Sequence, residues 1–258
     1  MEVHHHSHHP KNWKEYFTEF LMLFLAVSLG FLAENIREVY IEKERSHELA
    51  QSLLSDIEND EERMKTFLKD RSEIMEGIKL IILDVKDKGI INDDPEQYRL
   101  FARSAFYWSY FEPKTANLEQ IINSGSLRYF KRKQVVEAVS VYKTAITNLL
   151  ARQEREKVFF YSTLQPFILN NINLEPMDTT SITGSMPVRE YFQKLSTKEI
   201  QLKKDKFLFV EKDEETIRKI INMYRFYSVV LHTTYRNYYT VYLNRSKELA
   251  KILKEEMH

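Results

Sequence analysis

The chain has 258 residues with 38 basic and 38 acidic side chains, so its formal net charge is zero and nothing in it favours a nucleic-acid partner. It contains no cysteine, which excludes disulfide bonds, thiolate metal sites and cysteine nucleophiles. Only 5 glycines and 6 prolines are present, and this scarcity predicts an all-α fold of long helices rather than a turn-rich β fold.

The predicted N-terminal tail, residues 1–15, is rich in histidine. Its five histidines are His4, His5, His6, His8 and His9. Neutral imidazoles at this density bind Zn, Ni or Cu ions, which gives one hypothesis, a metal-responsive function. The alternatives are an expression tag, which Ser7 would interrupt, and a tail that has little function or contacts lipid headgroups when protonated.

Residues 16–36 are the predicted transmembrane helix. Their uncharged core, residues 20–33, covers only about 21 Å as a helix, less than the hydrocarbon thickness of a bilayer. From Trp13 to Tyr40, however, a helix covers about 40 Å and places aromatic rings near both interfaces. Because the chain begins at Met1, we expect a retained single-pass anchor rather than a cleaved signal peptide. A soluble amphipathic helix is the alternative.

One face of this helix is predicted to pack against another helix. At about 100° per residue, five side chains fall near one line. They are Glu19, Ala26, Gly30, Ala33 and Arg37. The small pair Ala26 and Gly30 allows two helix backbones to approach closely in lipid. Glu19 and Glu34, near the ends of the apolar run, either lie among the headgroups or meet polar groups of a partner.

The rest of the chain, residues 37–258, is predicted to be a helical bundle. Its first helix is expected to continue from the membrane helix to about Lys88, with Gly89 as its stop signal. Pro95 then predicts the start of an aromatic helix that ends before Pro113. A short helix through Leu118 and Ile122 follows.

The second half of the bundle is predicted to contain two long helices. The first runs from about Tyr129 to Leu164, before Pro166, and a polar loop at 170–187 follows it. The last, about 213–256, carries a stripe of large side chains that favours core packing over a ligand groove. The stripe comprises Ile217, Ile220, Tyr224, Tyr227, Leu231, Tyr235, Tyr238, Tyr242, Leu249 and Leu253.

Few residues in the sequence point to chemistry. It contains no H-E-x-x-H, no phosphate-binding glycine-rich loop and no G-x-S-x-G, so we predict a protein that is not an enzyme. An enzyme with an unrecognised site in the helical domain is the alternative. The run Lys131–Lys133 predicts either a solvated bundle face or a contact with lipid phosphate or nucleic acid.

Two stretches resemble an uncharacterised family of bacterial membrane-anchored proteins, a domain of unknown function. The first is the opening Met-Glu-Val-His-His-His together with residues 19–27 and 30–35; the second is residues 117–127 followed by Tyr142. The resemblance covers about the first 40 residues, is patchy in the middle and is absent beyond about residue 165. It implies a native histidine cluster, a single hydrophobic anchor and a helical body, but no activity and no catalytic residues.

Together these features predict a membrane-anchored interaction or scaffold subunit of the bacterial inner membrane. Its partners are expected to be the bilayer and either a second copy of the chain or another membrane protein. Lys11 and Lys14 before the apolar run, against Arg37, Lys43 and Arg45 after it, do not fix the orientation. The absent cysteines and the signal-anchor layout favour a helical domain outside the cytoplasm.

Overall fold

The computed structural model describes an all-helical protein. The described residues are 12–90, 94–106, 108–173, 175, 190–191, 194–195, 197–200, 202 and 213–257. The main helices are α1 (Trp13–Lys88), α2 (Pro95–Phe106), α3 (Ala116–Asn123), α4 (Lys133–Phe159), α5 (Gln165–Asn171), α6 (Glu214–Thr234) and α7 (Thr240–Met257). No β-strand occurs in these ranges, which confirms the predicted fold class.

Helix α1 has 76 residues and is therefore about 114 Å long. Its first buried residue is Ser46, and none of the described apolar residues before it is buried. An 18-residue window in this helix has a mean hydropathy of 1.8 and is 0% buried. By length and composition α1 is able to cross a membrane, although a signal sequence meets the same criteria.

Local sequence sets the boundary between α1 and α2, but not the end of α2. Helix α1 stops at Lys88 because Gly89 adopts a left-handed φ of 70°, as predicted. Pro95 opens α2, also as predicted. The prediction that this helix continues to Pro113 is wrong, because α2 ends at Phe106 and residues 108–115 have no regular secondary structure.

The predicted helix end before Pro166 is also wrong. Helix α4 begins at Lys133 rather than near Tyr129, since residues 126–129 form a separate 3₁₀ turn. At its other end α4 passes through a π-helical turn, Phe160–Leu164, and then continues as α5. Pro166 stands in the first turn of α5. The widened turn lets a proline that has no N–H follow without stopping the chain's helical course.

A second π-helical turn, Tyr235–Tyr239, joins α6 to α7 and corrects the predicted tyrosine stripe. Tyr224, Tyr227 and Tyr242 are buried as predicted, whereas Tyr235 is 42% exposed. The wider turn delays the buried position by one residue, so Tyr239 rather than Tyr238 is fully buried.

The helices enclose two hydrophobic clusters, one on each side of Arg71 of α1. In the half nearer the exposed N-terminal segment, α1, α3, α4 and α7 contribute to a cluster that includes Leu53, Ile57 and Tyr242. In the far half, α1, α2, α5 and α6 contribute to a cluster that includes Ile78, Phe101 and Tyr224. Because α1 runs through both clusters, it connects its exposed segment directly to the core.

Two glycines in the body should respond oppositely to alanine. Gly77 lies inside α1, where an added Cβ meets nothing within 4 Å. Gly77→Ala should therefore raise the free energy of unfolding by about 0.5–1 kcal/mol. Gly125, before the 3₁₀ turn, has a φ of 71°, so Gly125→Ala should lower it by about 1–2 kcal/mol. Urea unfolding in mild detergent measures both, and changes of the same sign would contradict this account.

Candidate functional site

The exposed face of α1 is the first candidate site, and the structure places its five predicted residues on one uninterrupted helix. Glu19 is partly exposed, whereas Ala26, Gly30, Ala33 and Arg37 are exposed. An added Cβ at Gly30 meets nothing within 4 Å, so nothing in the described part of the chain explains a glycine there. Arg37 Nε donates to Glu34 Oε2 at 3.0 Å, which balances the two charges locally.

The five histidines predicted to bind metal, His4 to His6, His8 and His9, lie outside the described residues. Within the described ranges, no group of three or more His, Asp or Glu side chains is placed to hold a metal ion. The metal hypothesis therefore stays a prediction.

A buried polar cluster between α1 and α4 is the second candidate site, and the sequence analysis did not identify it. Arg71 of α1 and Glu156 of α4 form an ion pair of 2.5 Å, with 2% and 1% of their side chains exposed. The Arg71 guanidinium also lies over the rings of Phe67 and Tyr239, at 5.8 Å and 5.3 Å from their centroids. The pair sits where the two hydrophobic clusters meet.

Gln153 extends this cluster by one turn of α4. Its Oε1 accepts hydrogen bonds from the Phe111 backbone N–H at 2.6 Å and from the Tyr239 hydroxyl at 2.9 Å. Its Nε2 donates to the Phe111 carbonyl at 2.9 Å. A single side chain thus satisfies both backbone groups of Phe111, which is 3% exposed.

Asp60 forms the third part of the cluster. Its Oδ2 accepts from the Lys114 backbone N–H at 2.7 Å and from the Tyr242 hydroxyl at 3.2 Å, while Arg63 binds Oδ1 at 2.8 Å. Burial raises the pKa of Asp60, and these hydrogen bonds oppose the rise. Burial likewise raises the pKa of Tyr239 and Tyr242, which keeps both phenols neutral as hydrogen-bond donors.

These groups share one structural task, which is to hold the segment 108–115, which has no regular secondary structure. Where such a segment is buried, as at Phe111, its backbone needs other acceptors and donors. Arg71 binds the Ser109 carbonyl at 3.4 Å and Arg63 binds the Glu112 carbonyl at 3.0 Å, in addition to the bonds from Gln153 and Asp60. The arrangement stabilises the fold and brings no nucleophile and base together.

The sequence did contain a signal for this cluster. Along α1 the buried positions include Ile57, Met64 and Ile74 at helical spacing. Asp60 and Arg71 occupy positions of the same stripe, where apolar residues are expected. A charged residue inside an apolar stripe indicates a buried polar interaction, and neither residue was singled out on that basis.

A cleft of about 250 Å³ between α1 and α2 is the third candidate. Its walls are mainly apolar and include Ile78 and Leu100. At its rim Arg99 pairs with Glu96 at 3.0 Å, and Arg103 pairs with Glu73 at 3.1 Å. Because these charges are balanced in pairs, the cleft selects neither an anion nor a cation.

The three candidates differ in what they offer. The cleft is small and electrically balanced, and the buried cluster is occupied by contacts within the chain. The exposed face of α1 is the one whose small residues, Ala26, Gly30 and Ala33, stay exposed in the described structure. Comparison with known proteins assigns no family, since no protein-family model, no curated protein and no solved structure matches the chain.

Proposed function

We propose that this chain is a non-enzymatic, membrane-anchored interaction or scaffold subunit. The observation that supports the proposal is the exposure of an apolar helical segment that continues without a break into the core of the body. A soluble protein rarely exposes so large an apolar surface unless it binds a membrane or another protein. Transfer of this surface into lipid removes it from water, which is the dominant favourable free energy of anchoring.

In this proposal residues 16–36 span the bilayer once, in the bacterial inner membrane. Every backbone group there except those at the helix ends is paired within the helix, as a lipid environment requires. The helical body then stands outside the cytoplasm on a short helical stalk, residues 37–45. Since stalk and anchor belong to one helix, the body cannot turn freely relative to the membrane helix.

The partner is a second copy of the chain or another membrane protein, bound through the Ala26 and Gly30 face. Lipid tails are as apolar as leucine, so helices associate in a bilayer through close packing rather than through the hydrophobic effect. Glycine at position 30 costs helix stability and fills no space within the chain. Close packing of a second helix against this face would explain why a glycine occupies position 30.

The anchor itself is tested by extraction. The full chain should remain with membranes after washing at alkaline pH and high salt, and should be released by detergent. Release by the wash alone would overturn the anchor, because an integral helix does not leave the bilayer under those conditions.

Gly30→Leu tests the packing face, and Ser28→Leu is its matched control. Ser28 lies about 180° away around the helix from the line of Ala26 and Gly30, so both variants add a leucine side chain to the same turn region. In detergent, light scattering of the wild-type chain should give a multiple of the 31.0 kDa chain mass. Gly30→Leu should shift the mass to one chain, and Ser28→Leu should leave it unchanged.

The outcomes separate the two kinds of partner. A wild-type mass of one chain would favour a different membrane protein as the partner, and crosslinking in native membranes at position 30 should then capture it. An assembled wild type that Gly30→Leu and Ser28→Leu leave equally intact would overturn association through this face.

A further inference from the structure

We propose that the basic turn of the body, formed by Arg128, Lys131, Arg132 and Lys133, contacts the headgroups of anionic phospholipids. The inference rests on the proposed membrane anchor and goes beyond it, because it specifies which surface of the body faces the bilayer and what that surface binds. It depends on where α1 places the turn and on the charges that the turn exposes.

Contacts with α1 fix the height of the basic turn above the membrane. Tyr129, beside Arg128, accepts a hydrogen bond from Arg45 of α1 at 3.5 Å. Arg45 is nine residues beyond Ile36, the last residue of the proposed spanning segment, which corresponds to about 13 Å of helix. Arg128 also interacts electrostatically with Glu38 and Glu42 of α1. Along the helix axis these two residues lie about 3 Å and 9 Å beyond Ile36.

These heights place the turn at the surface of the bilayer. The full bilayer is about 10–15 Å thicker than its hydrocarbon core, and this difference is divided between two leaflets. Each headgroup layer is therefore about 5–8 Å thick. The side chains of arginine and lysine extend several ångströms further and bind phosphate readily. A tilt of α1 away from the membrane normal would lower the heights, and tilts of about 20° are common.

The body holds the turn in this position from two sides. Helix α3 starts beside α1, where Asn117 Nδ2 donates to Asp56 at 2.7 Å, and then leads toward the turn. At the other end Arg132 binds Glu255 of α7 at 3.2 Å. The turn is therefore a fixed surface of the bundle rather than a tail that would need to be ordered on binding.

Three cations of the turn are available to a ligand. Arg128, Lys131 and Lys133 are exposed, and among the described residues none of them forms an ion pair with a carboxylate within 4 Å. Arg132 is the exception because Glu255 binds it. The cations also offset Glu38 and Glu42 of the stalk, which an anionic bilayer would otherwise repel.

The start of α4 supports the same interpretation. The first turn of α4 contains no acidic residue, begins with Lys133 and has no side-chain cap, although cations are unfavourable at the positive end of a helix dipole. Helix α6 of the same chain has the usual arrangement, with Asp213 as its cap and Glu214 and Glu215 in its first turn. Glu256 of α7 places one carboxylate at this end, where its Oε1 accepts from the Lys131 backbone N–H at 3.0 Å. Lipid phosphates beside Lys133 would add to that negative charge.

Because the chain contains no cysteine, a single introduced cysteine gives one defined label site for the test. The exposed positions Asn123→Cys, next to the turn, and Asp87→Cys, at the far end of the body, each receive a donor fluorophore. The labelled full chain is placed in nanodiscs of phosphatidylcholine with one quarter phosphatidylglycerol. Energy transfer is then measured to a headgroup acceptor carried either on an anionic or on a zwitterionic lipid.

We expect strong transfer from position 123 and weak transfer from position 87. From position 123 the anionic acceptor should show an apparent local enrichment on the order of three-fold over the zwitterionic one at low salt. The enrichment should vanish at high salt. It should also vanish in the triple variant Arg128→Gln, Lys131→Gln, Lys133→Gln. A control triple variant, Lys79→Gln, Lys86→Gln, Lys219→Gln, removes three exposed cations from the far half and should retain the enrichment.

Each failure has a distinct meaning. Equal transfer from positions 123 and 87 would show that the turn does not face the bilayer, and equal transfer to both acceptors would show that it does not select anionic lipid; either result overturns the inference while the anchor stands. A chain that does not enter the nanodisc at all would overturn the proposed anchor instead.

Discussion

Arg71→Met should destabilise the body by about 3–5 kcal/mol, because it leaves the Glu156 carboxylate buried without its cation. Glu156 is 1% exposed, so water cannot replace the lost guanidinium. Methionine keeps most of the side-chain volume, which separates the loss of charge from the loss of packing. Urea unfolding followed by Trp108 fluorescence, in a Trp13→Phe background that removes the other tryptophan, measures the change.

The double variant Arg71→Met, Glu156→Leu is the decisive control. Replacing a whole buried ion pair with apolar residues is often close to neutral, so the double variant should recover most of the stability lost in Arg71→Met. Lys65→Met, which breaks an exposed pair with Glu62 on the same helix, should change little. Additive losses from Arg71→Met and Glu156→Leu would contradict the coupling of this pair.

Composition and single residues were sufficient to predict the all-α class, the end of α1 at Gly89 and the start of α2 at Pro95, because each depends on composition or a local signal. The errors lie where tertiary contacts override local sequence. Trp108, Tyr110 and Phe111 suit a helix, but buried partners bind the backbone of Phe111 and Lys114 outside any helix instead. Neither π-helical turn has a local signature, so the burial of Tyr239 could not be read from spacing.

The candidate sites also divide into those that local sequence predicts and those that depend on tertiary contacts. The exposed face of α1 follows from helical geometry alone, and the structure adds that Ala26, Gly30, Ala33 and Arg37 are exposed. The buried cluster joins residues far apart in sequence, such as Arg71 and Glu156, and a single sequence gives no pairing between them. The height of the basic turn likewise depends on the contact between Arg45 and Tyr129, which brings a run of cations to the level of the stalk.

Gln153→Leu should release the segment 108–115 and destabilise the body by about 3 kcal/mol or more, since each buried group left without a partner costs about 1–3 kcal/mol. The variant removes the partner of the Phe111 N–H, the Phe111 carbonyl and the Tyr239 hydroxyl at once. Amide hydrogen exchange at Phe111 should accelerate in parallel with the loss of stability in urea. Gln134→Leu, at an exposed position of the same helix, is the matched control and should change neither. Unchanged exchange at Phe111 in Gln153→Leu would mean that the contacts of Asp60, Arg63 and Arg71 suffice to hold the segment.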